Sequence, residues 1–107
     1  MVARTTEEIK EIVKKYYRIL LQSGVPVEKV FLFGSYNRNE QTKYSDIDVA
    51  VVLKEYLGDR FNTRLTLMKF AREFDVIIEP HPFLLSEFDR TNPFANEIIQ
   101  IGEALSF

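Results

Sequence analysis

At 107 residues, with 46% apolar and 28% charged, the chain is sized for one soluble domain around a single core, and no apolar run approaches the roughly 20 residues of a membrane span. The polar N-terminus carries Glu7 and Glu8, unlike a signal peptide, and cysteine is absent, which removes disulfides and thiolate chemistry and fits a reducing cytoplasm. Fourteen Lys+Arg against sixteen Asp+Glu give a net charge of −2, whereas binding nucleic acid through many phosphates calls for a basic surplus, so nucleic acid is not expected as a partner.

The elements read in order. Thr5 with Glu8 three residues on is a capping box, and Ile9, Ile12, Val13, Tyr16 and Leu20 follow at helical spacing. Acids lead this helix (Glu7, Glu8, Glu11) and bases trail it (Lys14, Lys15, Arg18), as the helix dipole favours; Gly24 and Pro26 end it. Val30 to Phe33 reads as a buried strand halted at Gly34, and Asp46 to Leu53 as a second strand. Apolar on both faces from Val49 onward, the second belongs in the centre of a sheet. Gly58 and Asp59 open a helix to about Arg72, whose Phe61, Leu65, Met68 and Ala71 are spaced to face a core. A third strand is expected over Phe74 to Ile78, closed by Glu79-Pro80. Asn92 then caps a last helix with Pro93 at its first position, running through Ile98 and Ile101 to end near Gly102. The order α-β-β-α-β-α predicts a single domain over 1–107, an α/β (α+β) fold with helices packed on a small mixed sheet of three to four strands.

The chemistry starts at Asp46 and Asp48. Residues i and i+2 of a strand share a face, roughly 6.6–7 Å apart at Cα. Two carboxylates there repel one another beside a Val-rich strand unless a cation neutralises them, and Mg²⁺ or Mn²⁺ prefers such oxygen ligands. An Asp-x-Asp pair alone reads equally well as a solvated strand start. Asp75 repeats the signature as a lone acid before Val76-Ile77-Ile78, so three carboxylates converge if the two strands are neighbours. Glu79 lies on the same strand face by period 2 and is the rival third acid; Asp75 is preferred for its place at the strand start. Gly34-Ser35, where a strand stops, exposes backbone N–H groups to an anion and adds a hydroxyl donor.

Phe33-Gly34-Ser35, the segment from Tyr36 to Ser45, and then Asp46-Ile47-Asp48 resemble the Gly-Ser-x10-Asp-x-Asp signature of the polymerase-β-type nucleotidyltransferase superfamily, in particular its minimal single-domain members. The resemblance implies a nucleotidyltransferase fold in which Gly34 and Ser35 hold the nucleotide phosphates and Asp46, Asp48 and Asp75 ligate Mg²⁺ or Mn²⁺. It also implies that Asp75 assists deprotonation of an acceptor hydroxyl that attacks the α-phosphate of ATP. Where family members carry a small residue, Arg and Gly after the Ser, this chain has Asn37-Arg38-Asn39; Asn39 tolerates a left-handed backbone, and Arg38 is a candidate phosphate contact.

The resemblance also implies a partner: small members of that family are often paired with HEPN-type toxins and adenylylate a tyrosine on them as antitoxins, and a chain of this length without an acceptor domain agrees with a protein acceptor. The alternatives are a non-catalytic module that acts by contact and nucleotidyl transfer to a small molecule. His81, the sole histidine, is set between two prolines and reads as structural or exposed. Tyr36 and Tyr44 flank the active loop, and Lys10, Lys14 and Arg18 form a solvated row.

Overall fold

Thr5 Oγ1 accepts from the Glu8 N–H at 3.1 Å and the Glu8 carboxylate accepts from the Thr5 N–H at 3.2 Å, so the expected capping box starts helix α1, Thr6–Gln22. The computed structural model describes residues 4–34 and 46–106. Over these residues α1 is followed by β1 (Val27–Phe33), β2 (Ile47–Leu53), α2 (Arg60–Ala71), β3 (Ile78–Leu84), a short 3₁₀ turn (Leu85–Glu87), α3 (Pro93–Ile101) and β4 (Glu103–Leu105). The strands form one mixed sheet in the order β3-β2-β1-β4: β2 lies antiparallel to β1 and parallel to β3, and β4 pairs antiparallel with β1. The added strand β4 takes the sheet to four. Asn92 caps α3 with Pro93 behind it, as its sequence calls for.

Two apolar layers sandwich the sheet. On one face Ile9, Val13, Tyr16 and Leu20 of α1 meet Leu67 and Ala71 of α2 over Val30, Val49 and Val51. On the other, Ala95 and Ile98 of α3 meet Ala50 and Phe83. Covered on both sides, β2 is buried at Ile47 and again from Val49 through Leu53. No described helix is long and apolar enough to cross a membrane.

Two expectations are corrected. The third strand is not Phe74 to Ile78 but Ile78–Leu84, and it runs through Pro80 and Pro82. Proline is tolerated because β3 is an edge strand. The Ile77 carbonyl accepts from the Ile47 N–H at 2.8 Å, which turns the backbone groups of Glu79, His81 and Phe83 toward β2. The prolines, which lack an N–H, face outward, and the outward Pro82 carbonyl accepts from Arg60 at 3.4 Å. The second correction concerns α2. It buries Thr63, Leu67 and Ala71, while Phe61 and Leu65, expected in the core, are 70% and 47% exposed. Thr63 sets the rotation: its hydroxyl accepts from the Leu57 N–H and donates to the Asp59 carbonyl, both at 2.7 Å, tying the loop before the helix to this face.

Tyr16 joins the two core helices. Its fully buried hydroxyl donates to the Leu67 carbonyl at 2.8 Å, and burial pushes the phenol pKa up from its ordinary 10.0. The folded chain keeps the phenol neutral where the unfolded chain ionises, so this contribution is complete below pH 10 and declines as pH rises beyond it. Tyr16→Phe is expected to lose about 1–2 kcal/mol in urea denaturation at pH 7, with the gap to wild type narrowing at pH 11. A gap that stays constant with pH would contradict this role.

Candidate active site

β1 ends beside β2 with Phe33 opposite Asp48. The chain then turns at Gly34 with φ +82°, a conformation that side chains other than glycine resist. A Cβ built on Gly34 would also collide with the Asp48 carboxylate. Glycine is therefore required twice, for the turn and for the approach of backbone to carboxylate. The backbone at the end of β1 is held directly against the acid of the next strand.

The parallel ladder sets Asp48 beside Glu79 and Ala50 beside His81. Glu79 and His81, two apart, share a face of β3. His81 Nε2 lies 3.3 Å from Asp48 Oδ1, and the three side chains each offer a ligand atom within 4.8 Å of the others. The His81 ring packs against Phe33 and Phe94, at centroid distances of 5.3 and 5.8 Å, so aromatic rings wall one side of the cluster. All three of Asp48, Glu79 and His81 are partly open to solvent. Two carboxylates and an imidazole in reach of one point form a donor set suited to a hard or borderline divalent cation.

The structure brings together only some of the residues singled out in the sequence. Gly34 and Asp48 meet. Asp46 is half-buried one step before β2 and stands outside the Asp48–Glu79–His81 trio. Asp75 does not converge. Because β3 begins four residues later than expected, Asp75 falls in the turn before it, 83% exposed, and takes Arg4 as its partner at 3.1 Å. Glu79, the rival acid, occupies the position beside Asp48. Ser35 and Arg38, the other expected phosphate contacts, lie outside the described residues, as do Tyr36, Asn39 and Tyr44. His81 was missed as a site residue. The signal for both was the alternation in Glu79-Pro80-His81, which puts an acid and an imidazole on one face once the prolines are admitted to a strand.

Comparison with known proteins agrees with this geometry. The family model described as "Polymerase beta, Nucleotidyltransferase" matches residues 7–106. A Methanocaldococcus jannaschii protein named "Putative protein adenylyltransferase MJ1379" is 34% identical over 97 residues, covering 91% of this chain and 93% of its own. Among solved structures, a chain of the MntA-HpeT toxin–antitoxin complex is 26% identical with a TM-score of 0.62, covering 87% of this chain and 70% of its own. A toxin–antitoxin structure with AMP-PNP matches at 26% identity and the same TM-score, covering 86% of this chain and 71% of its own. A glycine turn pressed on the acid of the second strand, a second acid beside it on the third, and a family match over nearly every residue lead to one conclusion: the chain belongs to the polymerase beta nucleotidyltransferase family.

Proposed function

We propose that this protein transfers AMP from ATP to a hydroxyl on a partner protein, using Mg²⁺ or Mn²⁺, and that it serves as the antitoxin of a pair whose toxin is HEPN-type. The observation that carries the reading is the pairing of Asp48 with Glu79 across β2 and β3, with the Gly34 turn against Asp48. A relative named for protein adenylylation and a structural neighbour with AMP-PNP support the donor and the class of acceptor. The toxin–antitoxin neighbour supports a protein partner.

In this reading Asp48 and Glu79 hold the divalent cation with Asp46 and His81 in support, and Glu79 replaces Asp75 as the third carboxylate. The bound cation supplies charge stabilisation to the phosphates. The Gly34 backbone, with Ser35 and Arg38 after it, receives the β- and γ-phosphates. The acceptor hydroxyl forms a bond to the α-phosphorus and gives its proton to the Glu79 carboxylate, while the α–β bridging bond breaks and pyrophosphate leaves.

With α-labelled ATP, Mg²⁺ and the protein encoded by the adjacent gene, wild type is expected to label that protein. Asp48→Asn and Glu79→Gln should each lower transfer by about 100-fold or more, and Asp75→Asn should leave it within about twofold. Neutralisation of the partner without label, surviving both active-site substitutions, would favour action by contact instead. Gly34→Ala should cost about 1–3 kcal/mol of stability and remove AMP-PNP binding, read as a lost thermal shift. Retained binding would contradict the close-approach role of Gly34.

A further inference from the structure

α2 carries an apolar stripe that the fold covers only at its Met68 end. Phe61, Leu65 and Met68 recur at i, i+4 and i+7 and so line one face of the helix, opposite the buried Thr63 and Leu67. Past its C-terminal end Ile77, 63% exposed, extends the surface. Between them opens a mostly apolar cavity of about 340 Å³ lined by Met68, Ala71, Arg72, Phe74, Val76, Ile77 and Ile78, large enough to admit an apolar side chain from outside. Scattered exposed apolar residues need no explanation, but a stripe that runs into an apolar cavity marks an interaction surface.

Charge states what kind of partner fits. On a chain of net charge −2, α2 and its C-cap carry Arg60, Arg64, Lys69 and Arg72, with no acid between the N-cap Asp59 and Glu73. By helical rotation Arg64 borders the stripe on one side and Lys69 on the other. Among the described residues, Arg64, Lys69 and Arg72 form no ion pair. A two-fold contact with a second copy would set these cations against their own counterparts. An apolar ridge edged with carboxylates would meet attraction from Arg64, Lys69 and Arg72.

The position of the groove connects it to the catalytic carboxylates. Ile78 lines the cavity, and the next residue, Glu79, points to the opposite face of the same edge strand beside Asp48. A partner anchored in the groove would lie on the opposite face of β3 from Glu79, with the strand's unpaired edge between them.

We propose that the α2 stripe and its cavity dock the acceptor protein through an amphipathic helix with an acid-bordered apolar ridge, so that the groove recognises what the active site modifies. This rests on the reading of the acceptor as a protein, and the test separates the two. The probes are two fluorescein-labelled designed helices with the same Leu/Phe stripe, one bordered by Glu and one by Lys, titrated by anisotropy. The Glu-bordered helix is expected to bind wild type at least about tenfold more tightly than the Lys-bordered one. Arg64→Glu combined with Arg72→Glu should reverse that preference, and Leu65→Asp should abolish binding of both, with circular dichroism and the AMP-PNP thermal shift unchanged in each variant. Asp48→Asn should keep peptide binding while losing transfer, so failed chemistry and failed docking are told apart. Equal affinity for the two helices, absence of binding, or a preference that survives charge reversal would overturn the proposal. So would concentration-dependent self-association that Leu65→Asp removes, which would give the face to a second copy.

Discussion

The site depends on one pairing, the parallel ladder between β2 and β3. It fixes the register in which Asp48 stands beside Glu79, and with it the meeting of two like charges at the rim of a Val-rich strand. A shift of one residue would turn Glu79 into the α1/α2 core and leave Asp48 alone. The antiparallel β1–β2 pair adds the third component by pressing the Gly34 turn on Asp48. Packing on both faces of the sheet holds the register, while the aromatic rings of Phe33 and Phe94 hold His81 over the acids. The candidate site is thus a consequence of strand order: two sheet neighbours supply its charges and a third strand supplies its turn.

Much of this was legible in the residues. The capping box of Thr5 and Glu8, the Asn92-Pro93 helix start and the central burial of β2 follow from local chemistry and periodicity, and all appear as expected. The spacing from Gly34 to Asp48 marks two residues that the fold does bring together. What failed had physical causes. Pro80 and Pro82 read as breakers, because the sequence does not show that β3 is an edge strand whose outward groups need no partner. Ending the strand too early favoured Asp75 over its rival Glu79 and hid His81. The face of α2 was misjudged because its apolar spacing is real but belongs to the surface; the rotation is set by Thr63, a polar residue satisfied within the loop it buries.

That last misjudgement bears on function. A helix patterned as though its outer face were core, cationic along its borders and open at one end into a cavity, lies around the strand edge from the carboxylates. In the proposed reading, nucleotide and metal would be met by backbone and acids on one face of β3, and a macromolecular acceptor by apolar and basic groups on the other. Adjacent residues, Ile78 and Glu79, belong to the two surfaces. An edge strand offers both of its faces, so one strand can border both surfaces.

The central claim, that Asp48 and Glu79 together are the cation-holding pair, is tested most directly by anomalous diffraction from crystals grown with Mn²⁺ and AMP-PNP. The account predicts a peak roughly 2.0–2.3 Å from carboxylate oxygens of both Asp48 and Glu79. A peak held by Asp46 and Asp75, or one that leaves Glu79 uncoordinated, would contradict it.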